Sequence, residues 1–88
     1  MKVSFHATIR EVAGISEVEV EADDIRSLLL ALREKFGDGL FDLIAKDGTL
    51  RNDIVVLVNG QNIGHSGCMN VKMSPDDEVA IFPPVSGG

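Results

Sequence analysis

From Lys2 onward the chain alternates: Val3, Phe5, Ala7 and Ile9 are apolar, while Lys2, Ser4, His6, Thr8 and Arg10 are not. A period of two is the mark of a half-buried strand, so the pattern predicts a first strand over residues 2–10. Gly14 offers the permissive residue of a turn over residues 11–15. The alternation then resumes, with Val18, Val20 and Ala22 facing one way and Glu17, Glu19 and Glu21 the other. These two strands are expected to form a hairpin. At residue 23 the period changes. Asp23 and Asp24 provide an N-cap and a favourable charge for a helix start, and Ile25, Leu28, Leu29, Leu32 and Phe36 follow at helical spacing. Gly37 is placed to end that helix as its C′ residue.

Residues 38–53 are rich in Gly and Asp, and Leu40, Phe41, Leu43 and Ile44 predict a single helical turn within a loop. Residues 54–58 form a continuous aliphatic run, expected to be a central strand. Asn59-Gly60 is a two-residue hairpin turn that folds residues 61–63 back as a short strand. Residues 64–69 read as a small polar loop, and Ser74-Pro75-Asp76-Asp77 as the turn before a last strand over residues 78–82. Pro83 and Pro84 end that strand, because proline has no N–H to give to a ladder. Hairpin, helix, strand, short strand, strand is the order of an α+β, β-grasp (ubiquitin-like) domain, a mixed sheet of about five strands on one main helix. Residues 1–82 are expected to form that domain and residues 83–88 a flexible C-terminal tail. On the last strand, Val79 and Ile81 alternate with Ala80 and Phe82. With Val79 and Ile81 in the core, Phe82 points outward beside the tail as a partner contact; the alternative is that it folds over a sheet edge into the core.

Composition narrows the function. With 88 residues, 44% of them hydrophobic, the chain can build one core and no deep catalytic cleft. Fourteen acidic against eight basic residues give a net charge of -6, which repels nucleic acid and anionic membranes and suits basic protein partners. A single cysteine, Cys68, excludes an internal disulfide and fits the cytoplasm. Apolar runs fall far short of the roughly 18–20 residues that span a bilayer, and the alternating N-terminus does not read as a signal peptide.

The most informative chemistry lies in Pro83, Pro84, Val85, Ser86, Gly87 and Gly88. At about 7% average glycine usage, a terminal Gly-Gly arises by chance in roughly one chain in two hundred; a frayed terminus is the plain alternative. An enzyme that activates a carboxylate inside a narrow channel admits only backbone without side chains, which Gly87 and Gly88 supply. Six extended residues reach roughly 20 Å at about 3.3 Å each, and the proline pair stiffens the start of the tail towards polyproline II. His65 and Cys68 have a His-x-x-Cys spacing, but a structural zinc site needs four ligands, and His6 is the only other histidine. No metal site is expected, and both histidines are read as surface residues. Cys68 as a nucleophile lacks an evident activating base. The row Glu17, Glu19, Glu21, Asp23 and Asp24 reads either as a solvated face or as a docking patch for a basic partner.

Three segments carry a family resemblance: residues 5–14 (FHATIREVAG), 56–63 (VLVNGQNI) and 77–88 (DEVAIFPPVSGG). In this order they resemble the MoaD family, the small subunit of molybdopterin synthase, over essentially the whole chain. The Phe-Pro-Pro-Val-Ser-Gly-Gly ending is less like the thiamine-pathway carrier ThiS, which usually lacks the proline pair. The resemblance implies a sulfur carrier without catalytic side chains of its own or a bound cofactor. A MoeB-like activating enzyme, using ATP and Mg, would adenylate the Gly88 carboxylate, and a sulfur donor would convert it to a thiocarboxylate. The tail, Pro83 to Gly88, would then insert into a MoaE-like large subunit and donate sulfur for molybdopterin. Residues 38–53 look longer than in compact members of the family, a form shared with relatives that act as protein modifiers on target-protein lysines or in tRNA thiolation. A ubiquitin-like modifier, a tRNA-thiolation carrier and a non-covalent binding module therefore stand beside the molybdopterin reading.

Overall fold

A computed structural model describes residues 1–63 and 71–83 of the chain. In chain order these contain β1 (Lys2–Phe5), α1 (Ala7–Ala13), β2 (Glu17–Glu19), α2 (Ile25–Phe36), α3 (Asp38–Ile44), β3 (Ala45–Lys46), β4 (Thr49–Leu50), β5 (Val55–Val58), β6 (Gln61–Asn62) and β7 (Glu78–Phe82). Five strands form one mixed sheet in the order β2-β1-β7-β5-β6, with β3 and β4 as a separate pair. This is the β-grasp, ubiquitin-like arrangement.

The first strand is shorter than its alternation predicts. It stops at Phe5, His6 stays extended, and Ala7 takes a left-handed φ of 52° that turns the chain into α1. The run Ile9 to Ala13 also satisfies the i, i+4 spacing of a helix, and it is from a helix that Ile9 is buried, at 1% exposure. Gly14 is permissive as expected, but as the left-handed cap of α1 (φ 78°), its N–H donating to the Arg10 carbonyl, and not as part of a tight hairpin turn. β2 does pair antiparallel with β1, Val3 opposite Val18, but its ladder ends at Glu19 and not at Ala22. Reciprocal bonds between Met1 and Val20 continue the pairing one position further.

α2 forms where the cap and the apolar spacing agree. The Asp24 carboxylate accepts from the Ser27 N–H at 2.8 Å, and the Ser27 hydroxyl accepts in return from the Asp24 N–H at 3.1 Å. Gly37, at φ 85°, ends the helix with its N–H on the Arg33 carbonyl. Ile25, Leu28, Leu29 and Leu32 are buried, each stabilising by about 1.5–3 kcal/mol. Residues 38–53 are more ordered than a loop with one turn. Leu40 and Ile44 of α3, with Ala45, Leu50 and Ile54, belong to the same buried cluster. β3 and β4 are joined through Asp47 and Gly48, both at positive φ.

β7 lies at the centre of the sheet, parallel to β1 and antiparallel to β5. The register aligns Val3, Val79 and Val58 in one row and Phe5, Ile81 and Val56 in the next, so one sheet face carries the core. Asn59 (φ 52°) and Gly60 (φ 84°) make the tight turn between β5 and β6, which the Asn-Gly pair favours because both positions need left-handed backbone. Asp77 joins that turn to the start of β7: its carboxylate accepts from the Ser74 N–H at 2.7 Å and from Asn59 Nδ2 at 2.9 Å. Among the described residues no helix is long and apolar enough to cross a membrane.

Candidate functional site

Because β1 and β7 run parallel, with Phe5 beside Ile81, the residues that follow them emerge side by side at the same end of the sheet. His6 and Phe82 meet there as stacked rings, centroids 4.2 Å apart and planes within 12°. His6 Nε2 lies 3.2 Å from Ser4 Oγ, and the Ser4 hydroxyl donates to the Val79 carbonyl at 3.3 Å. The Ser4 hydroxyl, which can both donate and accept, thus links the imidazole edge to the β7 backbone. The last ring before the tail is thus held by β1 through His6 and by the sheet through its own backbone.

The face on which these rings lie is the outer one. Val79 and Ile81 are in the core, while Ala80 and Phe82 are half-buried on the opposite side. Phe82 sits beside Val55, and Ala80 between Ser4 and Leu57, so the middle of the outer face is an apolar strip of Val55, Leu57, Ala80 and Phe82. Its far end is charged. Lys2 lies beside Glu78 in the register and reaches Glu17 Oε2 at 3.4 Å. Glu17, Glu19 and Glu78 are all exposed.

Of the tail residues expected to act, Pro83 is half-buried next to Phe82, and Pro84, Val85, Ser86, Gly87 and Gly88 lie outside the described residues, as do His65 and Cys68. Among the described residues no cluster of three His, Cys, Asp or Glu side chains could hold a metal ion. The acidic row divides. Asp24 is a helix cap, and the Ser27 N–H and hydroxyl hold its carboxyl below the usual range. Glu17 pairs with Lys2, and Glu19 lies 3.6 Å from the Met1 ammonium. Sequence reasoning took His6 for a surface residue of the first strand. Alternation places His6 and Phe82 each on an outer face, but only the parallel β1–β7 register brings them together.

The sequence model of the ThiS family matches residues 3–88, from the start of β1 through the Gly-Gly end. The chain belongs to the ThiS family. It is thereby a member of the ThiS/MoaD superfamily of ubiquitin-like sulfur carriers. It is 33% identical over 91 residues to small archaeal modifier protein 3 of Haloferax volcanii, covering all of this chain and 98% of that one. Against a candidate sulfur carrier protein of Archaeoglobus fulgidus the identity is 31% over 88 residues, again all of this chain and 98% of the other. The solution structure of small archaeal modifier protein 1 from Methanosarcina acetivorans superposes with a TM-score of 0.82 at 32% identity, covering 99% of this chain and 94% of that one. These likenesses support the broader part of the resemblance, the ubiquitin-like sulfur-carrier superfamily. They lie with archaeal modifiers and a sulfur carrier and do not single out MoaD, and the ThiS-family model fits this chain with its proline pair in place.

Proposed function

We propose that this ThiS-family chain carries sulfur on its own Gly88 carboxylate for molybdopterin synthesis. A MoeB-like partner binds ATP and Mg; a Gly88 oxygen attacks the α-phosphorus, pyrophosphate leaves, and the poor electrophile becomes an acyl-adenylate. A sulfur donor that supplies hydrosulfide then attacks the acyl carbon, AMP and a proton leave, and a thiocarboxylate remains. A MoaE-like large subunit receives Pro83 to Gly88 and passes the sulfur to a pterin precursor. The observation that supports this reading best is that the central strand of the sheet runs directly into Pro83, so the tail is rooted on the most firmly paired strand of the fold. The outer strip ending in Phe82 is the docking face we assign to the partners, and its acidic edge suits basic surfaces.

A second reading has equal support in the 33% identity to a small archaeal modifier protein: the same acyl-adenylate is passed to a lysine amine, leaving an isopeptide bond. A tRNA-thiolation carrier would use the same activated terminus. Mass spectrometry of the protein from its own cells separates these. Thiocarboxylate at Gly88 is expected for the carrier, and Gly-Gly remnants on lysines of other proteins for the modifier. Full function after deletion of Gly88 would defeat both and leave a non-covalent binding module. Reconstitution with a MoaE-like subunit, read as pterin dithiolene formed, distinguishes molybdopterin delivery from tRNA thiolation.

A further inference from the structure

The outer sheet face is one side of a two-layer domain; the solvent side of α2 is the other. On that side Arg26, Leu30 and Arg33 follow one another at i, i+4 and i+7, above the buried Ile25, Leu28, Leu29 and Leu32. Leu30, at 55% exposure, is the most exposed large apolar side chain among the described residues. It borders a depression of about 130 Å³ lined by Arg26, Leu29, Leu30, Phe41 and Gly48. Apolar cavities of about 150 Å³ accept a benzene-sized guest, so this one has room for a single aliphatic side chain.

The two arginines differ. Arg33 Nε is bonded to Asp38 Oδ1 at 2.7 Å, and its guanidinium lies 5.1 Å from the centre of the Phe41 ring, bracing that wall of the depression. Arg26 has no ion pair among the described residues, and the carboxylate of nearby Asp24 is already engaged by the Ser27 N–H. A cation with no ion pair among the described residues, and only a minor Coulombic attraction to Asp24, therefore stands at the lip of an apolar depression on a chain of net charge -6.

We propose that this face docks an acidic protein segment that places one aliphatic side chain in the depression and a carboxylate on Arg26. Charge complementarity selects the occupant, because an aliphatic anchor flanked by lysines would meet Arg26 with like charge. The surface lies across the helix layer from the Phe82 strip, so a partner held here leaves the strip open. The inference rests on this geometry and not on the chemistry of Gly88.

The test is a titration of the full-length, ¹⁵N-labelled chain with a blocked pentapeptide Asp-Glu-Leu-Glu-Asp, followed by amide shifts. Saturable changes are expected at Arg26, Leu29, Leu30, Phe41 and Gly48, with millimolar affinity, since one exposed ion pair contributes little. Arg26→Glu and Leu30→Ser should each weaken binding at least about fivefold without lowering the melting temperature, because both side chains are exposed. Replacing the peptide leucine by serine should abolish the changes. Equal binding of Lys-Lys-Leu-Lys-Lys, or no saturable shift at these amides, would overturn the proposal. So would shifts at the same amides that grow with protein concentration alone and vanish in Glu34→Lys. That last result would assign the face to a second copy, whose acidic flank of α2 carries Glu34.

Discussion

The His6 imidazole lies flat on the Phe82 ring, 4.2 Å away, although the two residues are 76 positions apart in the chain. Neighbouring parallel strands hold them, and the Ser4 hydroxyl fixes the imidazole from the far edge. If the stack is part of the docking face, Phe82→Ala and His6→Ala should raise the Kd for the large or activating partner about tenfold, with a stability loss of only about 0.5–1.5 kcal/mol, typical of one aromatic pair. His6→Phe should restore docking. Loss of stability with unchanged partner affinity, measured by calorimetry, would assign the pair to the fold alone.

Deleting Gly88, or making Gly87→Val, should abolish adenylation and thiocarboxylate formation while leaving the melting temperature nearly unchanged. Gly88 supplies the carboxyl, ionised near neutral pH with an ordinary pKa of about 3.5, and a β-carbon at residue 87 narrows the backbone's passage into a partner's channel. ATP–pyrophosphate exchange with the activating enzyme reads the first effect and thermal melting the second.

Acid should weaken the fold through two named carboxylates. The backbone N–H of Ser27 holds Asp24 below its ordinary value of 3.8, and the backbone N–H of Ser74, with Asn59 Nδ2, does the same for Asp77. A depressed folded-state pKa gives stability that is present above the unfolded value and lost as pH falls through the folded one. Melting temperature should therefore drop below about pH 4. The double variant Asp24→Asn, Asp77→Asn should show a shallower acid decline. An unchanged profile would mean that neither hydrogen-bonded carboxylate is linked to folding.

Leu32 and Leu30 lie two positions apart on α2 with opposite exposure, 0% and 55%. Leu32→Ala should cost about 2–5 kcal/mol in denaturant unfolding, as deletion of a fully buried leucine does. Leu30→Ala should stay within about 0.5 kcal/mol of the parent. Similar losses for both would contradict the assigned inward face of the helix.

Where several local signals coincide, the structure follows the sequence closely. Asp24, the leucine spacing and Gly37 mark α2 at both ends, alternation marks β7 over Glu78–Phe82, and Asn59-Gly60 makes the tight turn. Residues 7–13 did not resolve this way, because Ala7 and Ile9 continue an alternation while Ile9 and Ala13 also fit a helix. Packing decides such a short segment: α1 buries Ile9, which a longer β1 would have carried along the sheet. Residues 38–53 are similar, since seven residues of α3 are too few to hold a helix alone, and Leu40 and Ile44 become ordered only within the shared core.

The succession of the five sheet strands around α2 and the inward face of that helix were legible in the sequence itself, because caps and periodicity are local properties. The Gly-Gly chemistry proposed for Gly88 rests on the sequence alone. The β1–β7 pairing, and with it the His6–Phe82 stack, was decided only in three dimensions. Alternation tells which face of a strand a side chain occupies. It does not tell which strand lies alongside, since backbone hydrogen bonds are the same for every partner and the choice is made by how all the buried side chains fit together.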